Sequence, residues 1–279
     1  MHKKRPASFY WLAAFFGLFV LFLYGPISAI VILSFQGPNG GLTFPMNGFS
    51  IHWFFALFGE QLVGDFETSF LRSLQLGLTV MVLTVVISLV TGLAFRKKFF
   101  GSNLLFYTTV ASLIVPSILV SLGIGLIFNI MGWEVSWTTS GLGAHLTWTL
   151  PFGFLIMIAV FNRFDKSYEE AARDLGASNW QTIRHVVLPI IGPSLIGVAL
   201  FGFTLSYDEF ARTLMTSGVK NTLPLEIFGM TTNVTTPTLY ALGTLTTFFS
   251  LFMILTAMGV LFYLRRRQES HGSDAGKGV

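Results

Sequence analysis

Long apolar segments alternate with short polar ones along most of the sequence. An α-helix needs about 20 apolar residues to cross the hydrocarbon core of a bilayer, and these segments lack the alternating polarity of transmembrane β-strands. Prolines inside several of them, Pro26, Pro116 and Pro151, predict kinked helices. The pattern predicts an all-α membrane protein with six transmembrane helices, at about 9–35, 69–95, 104–130, 142–161, 190–212 and 239–264.

The composition agrees with a membrane protein. Hydrophobic residues make up 53% of the 279 residues and charged residues only 11%, whereas a soluble domain has about 25% charged residues. We expect a cytoplasmic N-terminus at 1–8, a single transmembrane domain at 9–264, and a polar, Gly- and Ser-rich disordered cytoplasmic tail at 265–279. The absence of Cys excludes disulfides and thiolate metal ligands.

The basic residues are concentrated at one side of the predicted spans. The positive-inside rule assigns that side to the cytoplasm, together with both termini, and makes 36–67 and 214–237 external segments. This placement explains the net charge of +4 without nucleic-acid binding. The cations assigned to the inside are Lys3, Lys4, Arg5, Arg96, Lys97, Lys98, Arg163, Lys166, Arg173, Arg184, Arg265, Arg266, Arg267 and Lys277, and those assigned to the outside are Arg72, Arg212 and Lys220.

The longest polar interruption between two apolar segments is the stretch 165–189, on the predicted cytoplasmic side. Two Ser residues followed three positions later by Glu or Gln have the spacing of capping boxes, which start helices. These pairs are Ser167 with Glu170 and Ser178 with Gln181. Gly176 can end the first helix in a left-handed conformation, and Pro189 kinks the chain or opens the next segment. The stretch predicts a compact helix–turn–helix.

Part of this stretch resembles the EAA loop of the permease subunits of binding-protein-dependent ABC importers. That pattern is Glu-Ala-Ala, three residues, Gly, nine residues, and then Ile-x-Leu-Pro, and only the Ile position differs here, where Val186 stands. The matching residues are Glu170, Ala171, Ala172, Gly176, Leu188 and Pro189. The resemblance implies that the helix pair docks on a cytoplasmic ATPase, with Leu175 adding an apolar contact. Capping alone would explain Glu170 and Gly176, but not a small-residue apolar face in a cytoplasmic loop.

The resemblance also implies the surroundings of the protein. It implies a multi-pass protein of the cell inner membrane that works by alternating access with a cytoplasmic ABC ATPase dimer, a second homologous permease, and a periplasmic solute-binding protein. Membrane lipid and a small-molecule substrate complete these partners, and no nucleic acid is expected. The sequence contains no Walker motif, so we expect ATP to bind to the partner ATPase and no cofactor or metal to bind here. We expect a transporter subunit, not an enzyme.

A second polar cluster, at 206–210, lies at the outer end of the fifth predicted span. Ionisable residues are costly to place in or near the hydrocarbon core of a membrane, and they are therefore candidates for a functional site. Asp208 and Arg212 have i,i+4 spacing and could simply pair, which would leave Glu209 without a partner. Acids outnumber bases on the predicted outer face, which favours a cationic solute. The candidate residues of the substrate path are Tyr207, Asp208, Glu209 and Glu226.

The stretches 195–225 and 48–54 are similar to the spermidine/putrescine permease subgroup of these importers. That similarity implies a polyamine path close to Asp208 and Glu209. Relatives of the subgroup carry other small solutes, so an opine, an amino acid or an aminophosphonate is the alternative cargo. A different class, the intramembrane CAAX-type proteases, is suggested by Glu-Glu-Ala-Ala-Arg at 169–173. It is disfavoured because its motif has one more residue before Arg and because no His lies deep in a predicted span.

Overall fold

A computed structural model describes residues 6–59, 65–233 and 236–274, and within them the regular secondary structure is helical apart from one isolated β-bridge between Gln36 and Phe49. Two π-helical turns, Trp137–Gly141 and Ile183–Val187, interrupt the α-helices. The α-helices are α1 (Ala7–Leu33), α2 (His52–Ala56), α3 (Phe66–Phe95), α4 (Ser102–Ser112), α5 (Ser117–Ile130), α6 (Leu142–Arg163), α7 (Ser167–Asp174), α8 (Asn179–Thr182), α9 (Leu188–Tyr207), α10 (Leu223–Asn233) and α11 (Thr238–Asp274).

Six membrane spans are present if one bent pair of helices counts as a single span. The pair is α4 and α5, which meet at 108°. Pro116 immediately precedes α5, and a proline can neither donate a backbone hydrogen bond nor fit easily inside a helix. The predicted all-α, six-span fold is therefore confirmed, with a full break where a bend is predicted. The five unbroken candidate spans are Ala7–Leu33, Phe66–Phe95, Trp137–Arg163, Asn179–Tyr207 and Thr238–Val260.

The chain divides into two compact units, of which the first comprises Met1–Phe66 and Ile227–Ser250. Here the buried side chain of Gln36 organises the loop that follows α1. Its Oε1 atom accepts a hydrogen bond from the backbone N–H of Asn47 at 2.6 Å. The backbone carbonyl of Gln36 accepts one from Nε1 of Trp53 at 2.8 Å. Trp53 belongs to α2, a short helix within the predicted external segment 36–67.

The second unit comprises Glu67–Glu226 and Leu251–Val279, and α6 and α9 form the centre of its core. Met157 on α6 packs with Val187, Ile191 and Val198. At Gly92 on α3, an added Cβ would lie only 2.8 Å from Cβ of Met157. Small residues at helix contacts let backbones approach closely in membrane proteins, where van der Waals packing drives association.

The segment between α9 and α10 is partly buried, at Arg212, Thr213, Thr216 and Ser217, and exposed at 218–221. Because α9 ends at Tyr207, the prediction that span five reaches 212 is wrong. Its backbone is not helical, so its polar groups need partners inside the protein. The hydroxyl of Ser121 donates to the carbonyl of Arg212 at 2.9 Å, and that of Ser140 donates to the carbonyl of Thr216 at 2.8 Å. The Thr-rich composition suits a buried segment fixed by hydroxyl groups as well as it suits an external loop.

Two glycines on α5 give a matched test of how this segment packs. At Gly125, an added Cβ would lie 2.6 Å from the carbonyl oxygen of Met215, a backbone atom, whereas at Gly123 nothing lies within 4 Å. We expect Gly125→Ala to lower stability by about 1–3 kcal/mol through overpacking, and Gly123→Ala to stay within about 1 kcal/mol of wild type. Thermal unfolding in detergent checks both; equal midpoints would contradict the packing.

The last helix extends further than the sequence predicts. α11 runs to Asp274, so residues 265–274 are helical in the structure although a disordered tail is predicted from 265. Arg, Gln and Glu are good helix formers, and a helix that is already formed extends more easily than a new one nucleates. Residues 275–279 of the predicted tail lie outside the described residues.

Candidate functional site

The polar stretch at 165–189 forms the predicted helix pair. α7 ends in a Schellman motif, because the N–H of Gly176 donates to the carbonyl of Arg173 at 2.8 Å and the N–H of Ala177 donates to that of Ala172 at 3.0 Å. Gly176 has φ +84°, a left-handed conformation that glycine adopts without steric cost. The predicted helix stop is confirmed.

One of the two predicted capping boxes is present. Ser178 and Gln181 exchange hydrogen bonds of 2.8 and 3.3 Å at the start of α8, as predicted. The box of Ser167 with Glu170 is wrong, because α7 already includes Ser167. Asp165 occupies the capping role instead and accepts a hydrogen bond from the N–H of Ser167 at 3.0 Å. That bond, with a smaller contribution from the Ser167 hydroxyl, lowers the pKa of the Asp165 carboxyl.

The matched motif residues separate into an exposed tip and a base within the protein. Leu175 is 90% exposed at the tip, an unusual position for a large apolar side chain. Leu188 instead packs against the core of α6 and α9, and Pro189 lies in the first turn of α9. Of the motif residues at the tip, Ala172 is half-buried; the exposed ones are Glu170, Ala171 and Gly176.

The helix pair continues directly into a membrane span. Asn179–Tyr207 is one continuous span of 29 residues, which runs through the π-helical turn at Ile183–Val187 and on through α9. Pro189 has no N–H to donate to the preceding turn, and a wider π-helical turn just before it accommodates the missing bond. The helix pair and the far end of α9 at Tyr207 are thus joined by one continuous helical segment.

Glu169, which no sequence motif marks as a site residue, anchors α7 to the end of α3. Its side chain is buried and pairs with Nη1 of Arg96 at 2.6 Å and with Nη2 of Arg173 at 3.3 Å. The Arg96 guanidinium also lies over the rings of Phe161 and Phe164, at 5.2 and 5.5 Å. The i,i+4 spacing of Glu169 and Arg173 is visible in the sequence, but the contact with Arg96 depends on the tertiary fold.

At the other end of α9 the candidate path residues have different environments. Tyr207 is buried and stacks on Phe203 with ring centroids 5.6 Å apart. Asp208 is exposed where α9 ends. The carboxylate of Glu209 accepts a hydrogen bond from the backbone N–H of Arg212 at 2.9 Å, so it stabilises the following turn. Within the described residues, no ion pair joins Asp208 to Arg212.

Arg212, one of the three cations that the sequence assigns to the outside, is fully buried within the protein. Its Nη1 atom donates to Oγ1 of Thr147, and its guanidinium lies over the Trp148 ring at 4.9 Å. Its Nε and Nη2 atoms have no hydrogen-bond partner in the part of the chain that the structure describes. His145 fixes the same region, with its ring nitrogens 2.7 Å from the Ser206 hydroxyl and 2.9 Å from the Thr213 hydroxyl.

Glu226 belongs to a different element from the other path candidates. It lies in the first turn of α10, where acids are favourable, and accepts a hydrogen bond from Nδ2 of Asn221 at 2.9 Å. The structure thus brings together three consecutive candidates, Tyr207, Asp208 and Glu209. It provides no cluster of three or more His, Asp or Glu side chains suited to a metal within the described residues.

Comparison with known protein families defines the class of protein. Residues 84–270 match the family described as binding-protein-dependent transport system inner membrane component, so this chain belongs to that family. It is accordingly an inner-membrane subunit of a transport system that works with a binding protein, as the EAA-loop resemblance implies.

Curated relatives and a solved structure refine this assignment. The spermidine/putrescine transport system permease protein PotC of Haemophilus influenzae is 29% identical over 267 residues, which cover 95% of this chain and 100% of that protein. The putrescine transport system permease protein PotI of Escherichia coli K12 is 29% identical over 89% of this chain and 88% of its own length. A crystal structure of a bacterial ABC transporter involved in alginate import matches with a TM-score of 0.64 at 16% identity, covering 94% of this chain and 98% of that one. The last comparison establishes the fold.

Proposed function

We propose that this chain is a permease subunit of an ATP-driven importer that carries a polyamine, such as putrescine or spermidine, into the cytoplasm. A periplasmic binding protein delivers the solute, a second homologous permease completes the pathway, and a cytoplasmic ATPase dimer supplies the energy. The names of the two relatives, each aligned over most of this chain, support the cargo.

The observation that carries the proposal is the single helical path from Asn179 to Tyr207. One end follows the exposed tip at Leu175, which suits docking to the ATPase. The other end presents the exposed carboxylate of Asp208, which suits a cationic solute because an acidic mouth raises the local concentration of cations. Energy input and solute recognition thus lie at opposite ends of one continuous helical segment.

The alternative cargoes are an opine, an amino acid or an aminophosphonate. Each carries a carboxylate or phosphonate group, which Asp208 and Glu209 would repel, whereas a polyamine carries only positive charges at neutral pH. Uptake of labelled putrescine, spermidine, an opine and an aminophosphonate in cells with and without this chain separates them. We expect only polyamine uptake to fall on deletion; unchanged polyamine uptake would contradict the proposed cargo while leaving the family assignment intact.

Asp208→Asn tests whether this carboxylate contacts the solute. A hydrogen bond to a charged group contributes about 1.5 kcal/mol or more, so we expect the half-saturating putrescine concentration to rise about tenfold or more. Glu134→Gln is the matched control, because Glu134 is an exposed acid on the same predicted side, outside the path candidates. Equal half-saturating putrescine concentrations in the two variants would show that Asp208 does not contact the solute.

A further inference from the structure

A basic pocket lies where α3 and α6 end and α4 begins, next to the connection to α7. Its volume is about 420 Å³. Arg96, Lys97, Lys98 and Lys166 line it, and none of its lining residues is acidic. All four cations belong to the set that the positive-inside rule assigns to the cytoplasm. The pocket therefore concentrates positive charge at the cytoplasmic surface of the membrane.

Most of this charge has no ion-pair partner in the part of the chain that the structure describes. Glu169 neutralises Arg96 at 2.6 Å. The side chains of Lys97, Lys98 and Lys166 form no ion pair among the described residues. Three neighbouring ammonium groups repel one another, and an anion bound between them would relieve that repulsion. The basic pocket therefore has the charge of an anion site.

An apolar groove of the same volume, about 420 Å³, adjoins the basic pocket along the same three helices. Phe95 lines both cavities. The groove continues along α4 past Leu105 and Thr109, and along α6 past Leu150 and Phe154. A basic pocket at the membrane surface that continues into an apolar groove is complementary to an anionic phospholipid, whose headgroup lies at the surface and whose acyl chains lie within the bilayer.

We propose that the basic pocket and the apolar groove together hold one anionic phospholipid of the cytoplasmic leaflet. Its phosphate contacts Lys97, Lys98 and Lys166, and one acyl chain lies along the groove between α3, α4 and α6. Basic pockets between transmembrane helices on the cytoplasmic side suit such headgroups, and each nearby Lys contributes about 1 kcal/mol to the attraction. A soluble phosphate would leave the groove unused, and a docked protein would reach the rim more easily than the recess.

A lipid bound here would affect the helix pair at 165–189, whatever solute is carried. Arg96 lines the basic pocket and also pairs with Glu169 on α7. A bound headgroup adds negative charge beside Arg96 and screens its repulsion from the three lysines. The lipid would therefore stabilise the end of α3 against which α7 is anchored.

The headgroup is tested with the complete importer, purified in detergent and titrated with phosphatidylglycerol, with bound lipids counted by native mass spectrometry. We expect Lys97→Gln/Lys98→Gln to weaken phosphatidylglycerol binding by about tenfold or more. Arg265→Gln/Arg266→Gln removes the same charge from the cytoplasmic end of α11 and should change binding less than twofold. Equal binding in the two double variants, or equal affinity of wild type for phosphatidylcholine, would overturn the proposal.

Binding of the acyl chain in the groove is tested by filling the groove with a large side chain. Thr109→Trp places an indole in the groove and is expected to weaken phosphatidylglycerol binding about tenfold, whereas Leu104→Trp, on an exposed position of α4 outside both cavities, should not. If only the lysine variant weakens binding and inorganic phosphate competes with the lipid, the pocket is a site for soluble anions. If the lysine variant loses the ATPase and keeps the lipid, the pocket is a protein contact. Either result contradicts the lipid site.

Discussion

Importers that carry Leu175→Asp in this chain are expected to lose their ATPase subunits during purification. Leu175 is 90% exposed at the tip of the helix pair, beside the small side chain of Ala171. A large apolar residue that fills a partner's groove commonly contributes about 2 kcal/mol or more to binding, which corresponds to roughly 30-fold in affinity. An aspartate would also have to lose its hydration in that groove.

The matched control is Phe100→Asp. Phe100 is also a fully exposed apolar residue, in the loop that follows α3, and it lies outside the helix pair. We expect this variant to keep a stoichiometric ATPase, as judged by size-exclusion chromatography and band intensities. Retention of the ATPase by Leu175→Asp, or equal loss in both variants, would contradict docking at the tip. Glu170→Arg should behave like Leu175→Asp, because it reverses the charge on the same surface.

Glu169→Ala is expected to uncouple ATP hydrolysis from transport. Removing the carboxylate leaves Arg96 partly buried without its partner, at a cost of about 2–3 kcal/mol; the remaining exposure of Arg96 keeps this below the cost at a fully buried pair. α7 would then be attached less rigidly to α3, while its exposed docking tip is unchanged. We therefore expect the ATPase to remain bound and to hydrolyse ATP, while uptake falls at least about tenfold.

Adding Arg96→Met to Glu169→Ala provides the control. Replacing both members of a buried ion pair by apolar groups is often close to neutral, so the double variant should recover most of the lost thermal stability. Its uptake should recover only in part, because the anchor between α3 and α7 is not restored. A double variant less stable than Glu169→Ala, or normal uptake in the single variant, would show that this ion pair does not anchor α7.

Local signals in the sequence predict the helix pair well. Gly176 and the Ser178–Gln181 box each act through contacts within a few residues, so the sequence contains all the information that they need. The membrane spans are equally predictable from the sequence, because length and apolar composition determine whether a helix can cross a bilayer. The Ser167–Glu170 box does not form because Asp165, two residues before Ser167, accepts the hydrogen bond from the Ser167 N–H group that Glu170 would accept in the box.

Features that depend on distant contacts could not be predicted. Arg96 lies 73 positions from Glu169, and nothing local distinguishes Glu169 from its neighbour Glu170. Arg212 looks like an interfacial cation in sequence, yet its burial depends on Thr147 and Trp148 of another helix. Periodicity identifies helices and their faces, but it does not reveal which non-helical segment the folded protein encloses.

The most direct test of the proposed function is uptake by the reconstituted importer. Proteoliposomes would contain this chain, its partner permease and the ATPase, with ATP inside and the binding protein with labelled putrescine or spermidine outside. We predict accumulation that requires both ATP and the binding protein and that falls at least tenfold with Glu169→Ala. Accumulation without ATP, or no accumulation of either polyamine by an importer whose ATPase is stimulated by the binding protein, would contradict the account.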